Sequence, residues 1–329
     1  MIALVLAALL AAPPFQGPPA VGFRRDSTRT WTVAQGAANH RGRDAVVVVG
    51  APQWAIAKFA YGDVDKDLKE EDVDVFVGGA RGWERRATVV TTREGRHPAV
   101  EGVADDGGRV FHTLSPPLPV GAWPVRFHVR GDASSASQLL TVVAPETDAV
   151  IFDIDGTLTT SDAEIIKEIR ALLEDRSYVP AIRPGAAAVA ERWAALGYLV
   201  VYVTARPDNL RGLTRAWLAA KGFPPGPVLL SDRVRDVIPG DAVRTFKRGA
   251  FSRLTSGAKL RIAAAYGNAT TDIEVYREFK VPAQRLYVVG PNAGALGSVA
   301  IDFATHLATL KTLPKATRPA PRIPLWTDG

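Results

Sequence analysis

Residues 149–157 read Ala149-Val150-Ile151-Phe152-Asp153-Ile154-Asp155-Gly156-Thr157. The apolar run over 149–154 is too short for a helix and predicts a strand buried on both faces. Two carboxylates follow at i and i+2, so they leave the strand end on the same side. Gly156 then lets the chain turn. Like charges that close resist joint ionisation unless a cation or a proton is shared. The stretch therefore predicts a strand end that carries charge chemistry.

The surrounding pattern gives the fold class. Further strands are expected over 198–203, 228–230 and 286–289, with a strand exit at Gly267. Helical patterns fall over 162–175, 208–221, 257–265 and 271–279. Strand–helix alternation means an α/β domain, a parallel sheet with helices on both faces. Functional groups in such sheets gather at the carboxyl ends of the strands.

Upstream, residues 23–145 read as all-β. Short runs over 45–50, 73–77, 87–91, 109–114, 125–130 and 139–143 are separated by turn signals. Residues 125–130 alternate Val125, Phe127 and Val129 inward with Arg126, His128 and Arg130 outward. This predicts an immunoglobulin-like β-sandwich. Asp63, Asp65, Asp67 and Asp74 mimic a calcium-loop frame, but Leu68 stands where glycine is required, so an acidic turn is expected. The run over 2–12 is too short to span a bilayer, which takes roughly 20 residues. It suits a signal peptide over 1–22 and export, with a displaced start codon or an uncleaved anchor as alternatives. Residues 146–312 make the α/β domain, and 313–329 a basic, proline-rich tail, disordered or draped on the surface.

The chain has 329 residues, 47% of them hydrophobic, which is comfortable for two domains. It has no cysteine, so thiolate metal sites and cysteine nucleophiles are excluded. Its five histidines are scattered, which argues against a histidine-built metal centre. The net charge of +6 favours anionic partners such as phosphates, acidic lipids or nucleic acid without choosing among them.

Three further stations complete the constellation. Thr204 ends the apolar run 199–203. Lys247, with Arg248 and Lys259 as rivals, is the basic residue upstream of the next segment. Gly267-Asn268-Ala269-Thr270-Thr271-Asp272 places an acid after another strand. Asn268-Ala269-Thr270 also spells a glycosylation sequon, which a strand exit beside a metal would make coincidental.

The Asp153-x-Asp155-Gly156-Thr157 motif at a strand end resembles the haloacid dehalogenase superfamily of phosphotransferases. That resemblance implies Asp153 as nucleophile through an aspartyl-phosphate, Asp155 as acid and base, and Thr204 as a phosphoryl donor. It also implies Lys247 as charge balance, and Mg²⁺ held among Asp153, Asp155, Asp272 and Asn268. Gly156, Thr157, Ala205 and Arg206 are the candidate substrate contacts, with Arg211 as another phosphate or head-group candidate. Residues 153–162, 201–218, 226–231 and 266–282 resemble the lipin family's catalytic domain, found also in the membrane-associated phosphatidylinositol-transfer proteins. This implies Mg²⁺-dependent hydrolysis of phosphatidate at a membrane surface. In the transfer relatives the domain is thought to bind phosphatidate without cleaving it, and their first acidic motif is degraded. A binding role, or a phosphatase for another ester, therefore stands beside hydrolysis. The spacing from Thr157 to Lys247 leaves no room for a sizeable cap, so an open site is expected.

Overall fold

A computed structural model describes residues 12–174, 177–232 and 240–326. The C-terminal half is built on six parallel strands. These are β1 (Asp148–Phe152), β2 (Leu199–Pro207), β3 (Val228–Ser231), β4 (Arg261–Gly267), β5 (Leu286–Val288) and β6 (Val299–Ala300). Their order is β3-β2-β1-β4-β5-β6, so the winding reverses between β1 and β4. The carboxyl edge at that reversal is where ligands bind in open α/β sheets.

Alternate residues of β1 build opposite faces. Val150 and Phe152 pack with Trp193 of α2 (Ala186–Ala195), Trp217 of α3 (Arg211–Ala220) and Phe303 of α6 (Phe303–Thr309). Ala149 and Ile151 pack with Phe251 of α4 (Asp241–Ser252) and Tyr276 of α5 (Thr270–Glu278). The remaining helix, α1 (Ala163–Leu173), follows the motif loop.

The helix expected over 257–265 is not there. The chain leaves α4 through a π-helical turn (Arg253–Gly257) and enters β4 at Arg261. Ala263, Ala264 and Ala265 suggested a helix, but alanine's preference is worth under about 1 kcal/mol per residue. Pairing with β1 and β5 and burial on both faces outweigh it. Conversely, the sequence reading has no helix over 241–252, although Val243, Phe246, Ala250 and Phe251 repeat at helical spacing.

The N-terminal half is a β-sandwich. A five-stranded sheet runs Ala45–Val48, Ser135–Val143, Gly121–Val129, Asp72–Gly79 and Gly82–Val90. It faces a three-stranded sheet of Arg41–Gly42, Trp54–Lys58 and Arg109–Thr113. Val125, Phe127 and Val129 point inward as expected, but His128, expected outside, is buried as well. Phe15 lies edge-on to its ring, and the Trp83 indole donates to the Pro13 carbonyl (2.7 Å). The segment from residue 13 thus covers that outer face. Residues 1–11, with most of the expected signal segment, lie outside the described residues. The acidic turn is held by protein cations: Asp65 meets Arg41, and Asp67 meets Lys58 and Lys69.

The two halves meet on buried charge. Asp44, fully buried, accepts from Arg211 (2.8 Å), Arg215 (2.9 Å) and the amides of Leu139 (2.8 Å) and Val228 (3.0 Å). Arg211 is therefore an interdomain residue with 4% exposure, not a head-group contact. Arg41 ties the sandwich to Asp208 at 2.8 Å. The basic tail, where described, drapes on the domain. The amides of Thr317 and Arg318 donate to Asp148, and Trp326 stacks 4.8 Å over the Arg215 guanidinium.

Candidate functional site

The site lies at the carboxyl edge of β1, β2 and β4. Pairing continues one residue past β1, where the Asp153 amide donates to the Tyr266 carbonyl (3.0 Å). The chain then turns, with the amides of Thr157, Leu158 and Thr159 gathering on the Ile154 carbonyl. Gly156 makes the turn with a φ of +72°. A Cβ there would stand 2.1 Å from Asn268 Nδ2, so both backbone and space demand glycine.

Two ion clusters share this edge. In the first, Asp153 and Asp272 converge on one ammonium. Lys247 Nζ donates to Asp153 Oδ1 (2.7 Å) and to Asp272 Oδ1. Thr157 Oγ1 donates to the other Asp153 oxygen (2.7 Å) and lies 3.2 Å from Asn268 Oδ1. The second Asp272 oxygen takes the amides of Asn268 and Ala269, both at 3.1 Å. Of the three basic candidates, Lys247 is the one placed here. Arg248 pairs with Glu278 on the surface, and Lys259 is exposed.

In the second cluster, Arg206 is wholly buried and forks onto Asp155, Nε to Oδ2 at 3.0 Å and Nη2 to Oδ1 at 2.9 Å. Its Nη1 reaches Glu168 of α1 (2.8 Å), and Thr204 Oγ1 also donates to Asp155 (3.0 Å). Ala205 lies between them, half-buried. Asn268 Nδ2 donates to Asp162, and Asn268 is only 7% exposed, which closes it as a glycan acceptor.

Burial raises the Asp153 carboxyl above the usual carboxylate range, and Asp272 adds to this against Lys247 and Thr157. Burial likewise raises Glu168. It opposes charge on Lys247 too, but the two aspartates outweigh it and hold the ammonium protonated. Four carboxylates (Asp153, Asp155, Asp272, Glu168) face two cations (Lys247, Arg206), a formal excess of two negative charges when all four are ionised.

That excess, in a set of carboxylate, amide and hydroxyl oxygens, suits a hard divalent cation. The carboxylates that converge are Asp153 and Asp272, whereas Asp155 is turned into the Arg206 fork. Among the described residues no three acidic or histidine side chains form a closed ligand shell. The edge is also less open than expected, since Asp153, Thr204, Lys247 and Asp272 are each at most 5% exposed. The sequence reading missed Glu168 and Asp162. Glu168 sits one turn after Glu164, on the inward face of α1, and that spacing was its one signal.

Comparison with known proteins follows the same division. Residues 38–142 match the family described as PITM 1-3, beta-sandwich domain, and residues 150–290 match PITM 1-3, LNS2 domain. Mouse membrane-associated phosphatidylinositol transfer protein 3 is 32% identical over 282 residues, covering 83% of this chain and 26% of that protein. Mouse membrane-associated phosphatidylinositol transfer protein 2 is 34% identical over 294 residues, 86% of this chain and 20% of that protein. Drosophila melanogaster protein retinal degeneration B is 31% identical over 294 residues, 86% and 21%. The chain thus spans about a quarter of the length of the first relative and about a fifth of the others. Among solved structures, Corynebacterium glutamicum amylomaltase covers 50% of this chain and 21% of its own at 12% identity, with a TM-score of 0.19. The similarity runs through both halves in order, a β-sandwich followed by an LNS2 domain.

Proposed function

We propose that the C-terminal domain binds the phosphomonoester head group of an anionic phospholipid, phosphatidate first, at the edge formed by Asp153, Thr204, Lys247 and Asp272. Mg²⁺ would be held by Asp153 and Asp272 with the Asn268 amide oxygen. The observation that carries this is the charge imbalance. A phosphate dianion does not enter a cluster already two charges negative unless a cation comes with it. When bound, the cation supplies charge neutralisation for the phosphate. Lys247 and the Thr204 hydroxyl are the donors this chain offers to phosphate oxygens. The names of the relatives, membrane-associated and phosphatidylinositol transfer, support a lipid partner and a peripheral approach to the bilayer. Among the described residues no helix is long and apolar enough to cross a membrane.

Hydrolysis is the second reading, favoured by both aspartates being present. Asp153 would attack phosphorus as the ester P–O bond breaks, and Asp155 would give the leaving alkoxide its proton. Water, losing its proton to Asp155, would then release phosphate and restore Asp153. Asp155 can do this only after leaving the Arg206 fork, so binding is the reading preferred here.

The test is co-flotation with phosphatidylcholine vesicles, with and without phosphatidate and Mg²⁺, alongside phosphate release. Wild type is expected to float only with phosphatidate and Mg²⁺ together. Equal flotation on plain vesicles would overturn the assignment. Phosphate release that disappears in Asp153→Asn would establish the second reading. Release from soluble esters but not from vesicles would move the substrate away from lipid.

A further inference from the structure

A second candidate site lies between the domains, away from the Asp153 edge. A cleft of about 250 Å³ separates the sandwich from the end of α4. At about 30 Å³ per water that is room for roughly eight waters. Val46 of the sandwich, Leu229 of β3 and Leu254 of the π-helical turn form an apolar wall continuous with the core. Two arginines, Arg43 and Arg253, line the same cleft, one from each domain.

These two guanidiniums are unusual in this molecule. The other interdomain arginines, Arg41, Arg211 and Arg215, sit in direct contact with a carboxylate. Among the described residues no carboxylate comes within ion-pairing distance of Arg43 or Arg253. Glu101, which lines the cleft as well, and Asp232 act on both from beyond ion-pairing distance, and Asp208 acts on Arg43. Arg253 also lies in the repulsive field of Arg43, and Arg43 in that of Arg109. Arg253 Nη1 lies 3.5 Å from where a Cβ would stand on Gly102, so it reaches the sandwich's 100–103 turn. A π-helical turn is rare and is found at functional sites more often than chance allows. Here it begins at Arg253 itself.

A mostly apolar concavity between domains, with a few convergent polar groups, is the usual form of a small-molecule site. We propose that this cleft binds an anionic amphiphile. Its phosphate or carboxylate would sit between Arg43 and Arg253, and its alkyl chain would run along Val46, Leu229 and Leu254. Paired guanidiniums suit an anion's oxygens through bidentate hydrogen bonds. The occupant would also touch the turn that ends the helix carrying Lys247.

Calorimetric titration of the full chain with octyl phosphate, octanoate and inorganic phosphate tests this. In Mg²⁺-free buffer, where the Asp153 edge lacks the cation its phosphate needs, octyl phosphate is expected still to bind the wild-type chain. Arg43→Gln and Arg253→Gln should each weaken it at least tenfold. Removing one of two unpaired like charges is not expected to unfold the protein, and a circular dichroism melt checks that. A bromoalkyl phosphate should also quench Trp54, which lines the cleft, and Trp54→Phe should abolish that part of the quenching. Affinity kept in both arginine variants would overturn the proposal, as would no binding to wild type without Mg²⁺. Equal affinity for inorganic and octyl phosphate would overturn the amphiphile and leave a plain anion site.

Discussion

Two buried ion clusters in this chain use the same side chains to opposite ends. Between the domains, one carboxylate (Asp44) meets two guanidiniums and two amides, and its four acceptor positions are filled. At the carboxyl edge, four carboxylates share two cations. The first has its carboxylate saturated, with guanidinium in excess. The second carries a charge deficit that only an added cation or proton removes. Burial alone therefore does not mark a functional cluster, but a surplus of buried carboxylates does.

The comparison can be broken most sharply at Asp44. Asp44→Ala takes the shared carboxylate from two buried guanidiniums, and a loss of about 3–5 kcal/mol is expected in urea unfolding. A loss below about 1 kcal/mol would mean the domains do not depend on this cluster. A third buried polar group offers a pH test free of either cluster. His306 is 4% exposed, with the Tyr266 hydroxyl 3.0 Å from Nε2 and the Thr309 hydroxyl 2.9 Å from Nδ1. Burial lowers its pKa from 6.5 to about 4. Between those values the unfolded chain binds more protons, so stability is full above pH 6.5 and falls as pH drops to 4. The loss should be about 3 kcal/mol. His306→Gln should flatten that slope. If unfolding free energies at pH 7 and pH 4 differ equally in both proteins, His306 is not the group responsible.

Smaller effects sharpen the contrast. Mg²⁺ at ten times its dissociation constant should stabilise the folded chain by about 1.4 kcal/mol. The Asp272→Asn variant should lose that response, and Trp326→Ala should keep it. Equal responses in wild type and Asp272→Asn would remove the cation from the edge. Trp326→Ala itself should cost about 1 kcal/mol, from the stacking on Arg215. A melting temperature unchanged by that substitution would show the tail adds nothing to the interface.

The sequence made the site more legible than its setting. The strand-end aspartates were readable because a motif's chemistry depends on residues a few positions apart, whereas Thr204 and the 267–272 turn were placed by the family resemblance. Arg206 and Glu168 were harder. Arg206 was expected to meet substrate, yet it forks onto Asp155, a contact 51 residues apart. Asp44 left no local trace, since its partners come from another domain. The alanines of β4 misled because helix preference is local, while strand burial is set by neighbours distant in sequence. His128 failed the alternation rule for the same reason: its cover comes from residue 15, outside the sheet.

One contact bears on synthesis. The Arg215 guanidinium lies between Asp44, early in the chain, and the ring of Trp326. A ribosome delivers Trp326 282 residues after Asp44. The sandwich can fold as its residues emerge, domain by domain. The seam between the domains reaches its final form only once residue 326 has cleared the exit tunnel. Until then Arg215 has its carboxylate but not its aromatic lid, and the interdomain face stays open to water or to a chaperone.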